Sequence, residues 1–205
     1  MNRWNLCVTA LALAWSAMPA SGGVIFEISS VVASPGSAGM IEVDVQNTGG
    51  AGIVIGGFNF EILGDPDIDL TGAGFSTSAP YIFAGDSFDQ LSSTPLNTSA
   101  GLSLAAGDIS NSGNGDILGA GQTAGLALVT FSVSPTAAQG PVTISFSTDP
   151  AFSNLSDQNG DNITINSFES GTIDVAPENV TPEPSAAAML LGVLMGLGAS
   201  RLIRA

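Results

Sequence analysis

Met40-Ile41-Glu42-Val43-Asp44-Val45 is the stretch that decides the fold. In an extended chain Ile41, Val43 and Val45 share one face, and the two carboxylates share the other. Such alternation is typical of a strand with one buried face and one wet face. The pattern recurs at 58–62, 129–133 and 142–146, and more briefly at 24–28, 102–104, 163–165 and 173–175. Glycine, proline, asparagine and aspartate separate these runs, which predicts an all-β fold, an antiparallel sandwich or barrel.

One run departs from simple alternation. Within Ala124–Val129 the apolar residues change parity between Leu128 and Val129. This predicts either a β-bulge or a strand that is buried on both faces. Between residues 24 and 175 no window of about 11 residues carries an apolar stripe of helical period without a glycine in it.

The charge distribution excludes several classes of function. The 205 residues include 18 Asp and Glu, 3 Lys and Arg, and no His, for a formal net charge of −15. The three cations, Arg3, Arg201 and Arg204, all lie near the ends. Because nucleic-acid binding depends on cations that displace counterions from phosphates, we expect no nucleic-acid partner. Without His or Lys the usual nucleophile–base pairs and Schiff bases are absent, so we expect no enzyme.

Residues 1–22 read as a secretory signal peptide. Arg3 precedes an apolar run at Leu6–Trp15, and small residues follow it. The alternative, an uncleaved anchor, is disfavoured because the run is well short of the roughly 20 residues that span a bilayer. We therefore expect the domain over residues 23–176 to be exported.

The C-terminal end combines three features in a fixed order. A spacer over residues 177–185 contains Pro182-Glu183-Pro184, and residues 186–205 form an apolar stretch with a basic tail. This end resembles the PEP-CTERM sorting signal. The resemblance implies a transmembrane sorting helix, processing by an exosortase-type enzyme, and delivery to the outer surface or extracellular matrix of a Gram-negative bacterium. The alternative is a single-span anchor that is never cut.

The central region resembles the cohesin domain. Gly39–Asn47 is similar to its early strand, Ile55–Ile62 to the next, and Leu126–Val133 with Val142–Phe146 to later strands. The close of the domain is similar at Gly171–Val175, whereas the region Ala73–Ser99 is longer than the family pattern. The resemblance implies a nine-stranded jelly-roll β-sandwich that is related in shape to carbohydrate-binding modules and binds protein partners through one sheet face.

One loop offers a candidate metal site. Asp157, Asn159 and Asp161 place oxygen ligands at alternate positions, as in the first half of a calcium loop. Asn162 stands where an EF-hand has glycine, and Phe168 where it has glutamate. The alternative, an Asx-rich turn between strands, is the favoured interpretation. Calcium is the only cofactor that this sequence suggests.

A second candidate site is a small aromatic platform for sugars, formed by Tyr81 and Phe83 with Phe88 nearby. The alternative is that these rings fill the core. The functional hypothesis is an exported, non-catalytic protein that displays its sandwich to a surface protein or to exopolysaccharide. Carbohydrate binding in the matrix is the second hypothesis. We also expect contact with the membrane, at least transiently, through the C-terminal helix.

Overall fold

A computed structural model describes residues 22–74, 80–88, 92–98 and 101–177. The predicted signal peptide, the Pro182-Glu183-Pro184 motif, and the apolar helix with its basic tail lie outside these residues, apart from Gly22. The described residues contain no helix long and apolar enough to cross a bilayer. They form fifteen strands: β1 (Val24–Ile28), β2 (Val31–Ala33), β3 (Ala38–Asn47), β4 (Ile53–Ile55), β5 (Gly57–Leu63), β6 (Ile68–Gly74), β7 (Ser92–Thr98), β8 (Gly101–Ile109), β9 (Asp116–Leu118), β10 (Thr123–Val133), β11 (Gly140–Phe146), β12 (Asn154–Ser156), β13 (Asn162–Ile163), β14 (Ile165–Glu169) and β15 (Gly171–Val175).

The first sheet has the strand order β14-β1-β3-β10-β6. The predicted strand at 40–45 is its centre, since β3 pairs antiparallel with both β1 and β10. Ile41, Val43 and Val45 are at most 1% exposed, so the alternation assigned the buried face correctly. The bulge of β10 against β3 lies between Gly125 and Ala127 rather than after Leu128. This part of β10 is also buried on both faces. A second register shift, against β6, lies between Thr130 and Phe131.

The second sheet is built around β5. On one side β5 pairs with β8 along its whole length, and β8 pairs with β7. On the other side β12 pairs with residues 57–59 and β11 with residues 62–63, so two strands share that edge. The sheet continues through β15 to β2, while β13 pairs with β12. A separate two-stranded ribbon joins β4 and β9.

Near both ends of the domain the chain passes from one sheet to the other between two successive strands. β1 lies in the first sheet and β2 in the second, and β14 and β15 divide in the same way. Serine hydroxyls at the corner accept hydrogen bonds from main-chain amides: Ser29 from Glu42 and Ser30 from Thr172, at 2.8 and 2.9 Å. These bonds satisfy amides that the change of sheet would otherwise leave without partners.

The core lies between the two sheets and is rich in phenylalanine. Phe26 of the first sheet packs against Phe146 of the second, with ring centroids 5.8 Å apart. Phe168 contacts both rings, at 5.8 and 5.4 Å, and Phe60 contacts Phe146 at 6.2 Å. Tilted and edge-on pairs of this kind stabilise a core beyond the area that they bury. The cluster therefore holds the two sheets face to face.

Residues 80–88 close one end of the sandwich. The Ile82 amide donates to the Gly125 carbonyl, and the Gly125 amide donates to Pro80, both at 2.9 Å, so this segment pairs with β10 at its bulge. Farther along, Ser87 forms a bridge with Ser110, which follows β8. The segment thus crosses from the first sheet to the second.

The loop between β8 and β9 offers a matched pair of glycines. Gly113 and Gly115 both have positive φ, 71° and 69°. A Cβ at Gly115 would stand 2.5 Å from the Ile55 carbonyl oxygen, whereas one at Gly113 would meet nothing within 4 Å. We expect Gly113→Ala to lower the free energy of unfolding by about 1 to 2 kcal/mol, the cost of the left-handed conformation.

We expect Gly115→Ala to cost at least about 1 kcal/mol more, because the backbone of β4 must also move. Urea unfolding of the two variants measures the difference. Equal losses would show that the close approach to Ile55 tolerates a methyl group.

Candidate functional site

The outer face of the first sheet is acidic. Glu27 of β1 stands directly opposite Asp44 of β3 on one side and Glu169 of β14 on the other. Asp44 is half-buried, and its Oδ1 has no hydrogen-bond partner. Burial, followed by the charges of Glu42 and Glu27, raises the pKa of Asp44 from 3.8 to about 6. Like charges opposed across strands destabilise a sheet.

The outer face of the second sheet is different in character. Along β5, Phe58, Phe60 and Ile62 face the core, so the residues between them face outward. The outward positions of β5 and β8 carry one carboxylate between them, that of Glu61. It is buried and accepts a hydrogen bond from the Ser103 hydroxyl at 2.8 Å. This face is therefore nearly free of exposed charge at its centre.

A shallow groove of about 240 Å³ crosses this second face. Its floor consists of Ala105 and Gly107 of β8, and Thr94 of β7 and Asn59 of β5 line it as well. Phe152, 47% exposed, lines the groove beside them, and its carbonyl accepts a hydrogen bond from the Asn59 side-chain amide at 3.1 Å. A Cβ at Gly107 would stand 2.8 Å from the Phe58 carbonyl oxygen, so a glycine is required here.

Exposed apolar side chains surround the groove. Leu63 and Ile109, at the two ends of the β5–β8 pair, are 41% and 51% exposed. Phe88 is 59% exposed and lies beside Ile109, because its amide donates to the Ile109 carbonyl at 3.0 Å. Aromatic residues are enriched and charged residues depleted at the centres of protein interfaces. The second face, defined by Leu63, Ile109, Phe88 and Phe152 around the groove, is the candidate binding face.

The predicted calcium loop forms a hydrogen-bonded turn. Asp157 Oδ1 accepts the main-chain amides of Asn159 and Asp161, at 2.8 and 2.9 Å, and Oδ2 accepts the Asn159 side chain at 3.2 Å. These bonds, led by the two main-chain amides, lower the pKa of Asp157. The structure thus brings the three residues together in an Asx turn, the favoured alternative. In the described parts of the chain no group of three or more His, Cys, Asp or Glu could hold a metal.

The predicted sugar platform needs a correction. Tyr81 is 7% exposed and Phe83 is fully buried. The Phe83 ring stacks on Phe58 with centroids 5.9 Å apart, so it belongs to the core. Neither ring presents a face to solvent, because the segment closes the end of the sandwich. The alternative interpretation, that these rings fill the core, describes the structure.

The Tyr81 hydroxyl takes part in a buried polar cluster that was not predicted from the sequence. It donates to Asp108 Oδ2 at 2.5 Å, the Ser87 hydroxyl donates to the same oxygen, and the Ile109 amide donates to Oδ1 at 2.8 Å. Burial, and then Asp108, raise the pKa of Tyr81. Asp108 has the inward parity of Leu104 and Ala106 on β8. A carboxylate at such a position is the signal that could have revealed the cluster.

Comparison with known proteins supports the fold. No protein-family model matches the chain, and no curated protein matches it in sequence. Several solved cohesin structures resemble it. One is a type I cohesin–dockerin complex from Clostridium thermocellum, with 17% identity over 75% of this chain and 99% of that chain and a TM-score of 0.56.

Two others are a type I cohesin from Pseudobacteroides cellulosolvens and a non-cellulosomal cohesin from the archaeon Archaeoglobus fulgidus. The first has 15% identity over 78% and 97% of the two chains and a TM-score of 0.55; the second has 13% identity over 77% and 94% and a TM-score of 0.54. At this level of identity the likeness shows the fold, which is a cohesin-like β-sandwich. The prediction of a cohesin-like β-sandwich is thereby confirmed. Two details of the prediction are wrong: the described residues form fifteen strands rather than nine, and the pairs β1–β14 and β15–β2 are parallel.

The polar cluster at Tyr81 generates a stability prediction. Tyr81→Phe keeps the ring but removes one of the donors to the buried Asp108 carboxylate. We expect the free energy of unfolding to fall by about 1 to 3 kcal/mol, measured by urea unfolding. In an Asp108→Asn background the same change should cost less, because the charged acceptor is gone. Equal costs in the two backgrounds would contradict this role for the hydroxyl.

Asp44 generates a pH prediction. Its pKa is higher in the folded chain, so between about pH 4 and 6 the folded state binds more protons than the unfolded state. Stability at this site is therefore lost as the pH rises through that window. Asp44→Asn should raise the free energy of unfolding by about 1 kcal/mol at pH 7, a value reduced for partial exposure, and by little at pH 4.

The matched control for this prediction is Asp69→Asn, an exposed acid on the same sheet. It should give no comparable gain at pH 7. A gain for Asp44→Asn that is equal at pH 4 and pH 7 would show that the effect comes from shape or hydrogen bonding rather than from charge.

Proposed function

We propose that the domain is a non-catalytic interaction module that binds a protein partner through the candidate binding face. The observation that carries the proposal is the contrast between the two outer faces. The first sheet presents opposed carboxylates, which a partner must desolvate or neutralise. The second presents exposed apolar side chains around a small-residue groove, the composition that interface centres have.

The cohesin-like fold supports a protein as the partner. The similar structure from Clostridium thermocellum is a complex of a cohesin with a dockerin, so a sandwich of this shape can hold another protein domain. Fold alone does not define function, and the argument therefore depends on the face itself. The lack of His and Lys between the two ends supports a role without catalysis.

The two ends of the chain support a location for this module. We propose that residues 1–22 direct export, and that an exosortase-type enzyme processes the chain near Pro182-Glu183-Pro184. The apolar stretch that follows would hold the chain in the membrane at least until that step. The product would be displayed at the outer surface or in the extracellular matrix. Support for this part of the proposal comes from the sequence motifs.

A second candidate function is binding of exopolysaccharide. The observation that favours it is the half-exposed ring of Phe152 beside the Asn59 amide and Thr94, since sugars stack on aromatic faces and bond to amides and hydroxyls. This location replaces the buried Tyr81 and Phe83 as the place where such binding would occur.

Binding to cells tests both candidates. Labelled protein is added to cells of the source bacterium that lack the gene, and the bound amount is measured against concentration. We expect Phe152→Ala to weaken binding at least about tenfold, as loss of a central aromatic side chain does. Met40→Ala, which truncates a similarly exposed side chain on the first sheet, should leave binding unchanged.

Treatment of the cells separates a protein partner from a polysaccharide. Binding that is lost after protease treatment and kept after periodate oxidation supports the protein partner; the opposite result supports the second candidate. If Phe152→Ala binds as the wild type does, or if Met40→Ala is equally impaired, the candidate binding face is wrong.

A further inference from the structure

A cleft of about 390 Å³ lies at one end of the sandwich, between β9, the start of β10 and residues 80–82. Its floor is apolar and buried, formed by Tyr81, Ile82, Leu118 and Ala124. Its rim includes Pro80 and Ile117, and the Ile117 side chain is 72% exposed. The end cleft, as we call it, is separate from the candidate binding face, with which it shares no lining residue.

One carboxylate lines the end cleft. Asp116 is partly buried, and within residues 22–74, 80–88, 92–98 and 101–177 no group donates a hydrogen bond to its side chain. Burial, followed by the negative charge of Asp86, raises the pKa of Asp116. Asp86 itself keeps its charge, because the Ser110 and Ser112 hydroxyls donate to it at 2.5 and 2.8 Å. The cleft is thus a site of uncompensated negative potential.

The domain cannot neutralise this potential from its own described residues. All three Lys and Arg of the chain lie at positions 3, 201 and 204, and there is no His. Several other carboxylates of the domain accept hydrogen bonds from hydroxyls or amides, as Asp108 and Asp157 do. Asp116 has none, although it faces a cavity large enough to admit a side chain. A cation from outside would fill the space and pair with the carboxylate.

Other ligand classes fit the end cleft poorly. An anion would be repelled by Asp116 and Asp86. A calcium ion takes six to eight oxygen ligands, and the only carboxylate that lines the cleft is that of Asp116. A sugar ring stacks on an exposed aromatic face, and Tyr81 is almost wholly buried. A long side chain with an apolar stem and a cationic end matches both the apolar floor and the Asp116 carboxylate.

We propose that the end cleft receives an arginine side chain of a partner protein. Its stem would lie against Ile117 and Pro80, and its guanidinium would pair with the Asp116 carboxylate. Arginine suits the site better than lysine because the guanidinium is more weakly hydrated and can form two hydrogen bonds to one carboxylate. The Thr123 hydroxyl at the rim can accept a further hydrogen bond. This inference goes beyond the proposed function and stands on different residues.

The test uses the full chain in a non-ionic detergent and a small probe, N-acetyl-arginine methylamide. Amide signals of Ile117, Gln122 and Thr123 are followed by NMR as the probe is added. We expect saturable shifts with a Kd of about 1 mM, because one partly exposed ion pair contributes only weak binding. The uncharged isostere N-acetyl-citrulline methylamide should bind at least about fivefold more weakly.

Two variants sharpen the result. Asp116→Asn keeps the shape of the side chain and should abolish the preference for arginine over citrulline, whereas Asp69→Asn on the first sheet should preserve it. Phe152→Ala should bind the probe as the wild type does, so failure of the proposed function would not affect this outcome. Equal binding of the two probes by the wild type would overturn the inference, as would probe shifts confined to the acidic face around Asp44.

Discussion

The part of the chain that the structure describes contains no lysine, arginine or histidine, and this constraint shapes most of its polar chemistry. Each carboxylate must obtain hydrogen bonds from hydroxyls and amides, remain in water, or bear the cost of burial. Asp108 shows the first solution, with Tyr81 and Ser87 as donors, and Asp157 shows the use of main-chain amides. Serine and threonine therefore do here what basic side chains do in most domains. Because hydroxyls do not neutralise charge, the negative field of the domain persists.

The constraint also explains why the two outer faces differ. On the acidic face, the described residues include no cation that could lie between β1 and β3. The carboxylates there remain unneutralised, and the pKa of Asp44 is raised. The second face avoids the problem at its centre: its one central carboxylate, Glu61, is buried against Ser103, and the other outward positions of β5 and β8 are uncharged. The opposed carboxylates and the groove lined by uncharged residues thus lie on opposite sides of the core.

The alternation at 40–45 was enough to predict the central strand because a strand with one wet face imposes a period of two on its sequence. Pro80-Tyr81-Ile82-Phe83 has no such period. A run of four apolar residues fits both an exposed platform and a segment that closes the end of a sandwich, and only the pairing of residues 80–82 with Gly125 decides between them. The groove could not be predicted from the sequence either. Ala105 lies on β8 and Phe152 lies just before β12. These two strands share one face only because they pair with opposite edges of β5.

Asp44 and Asp116 show how geometry decides what an uncompensated carboxylate can do. Both have pKa values raised by burial and by neighbouring acids. Asp44 lies in a row of side chains on a sheet, and its Oδ1 is buried, so an incoming side chain could reach that atom only by displacing its neighbours. Asp116 borders a cleft with an apolar floor, which leaves room for a long side chain beside the carboxylate. The same deficit of positive charge therefore destabilises the sheet at one position and creates selectivity for a cation at the other.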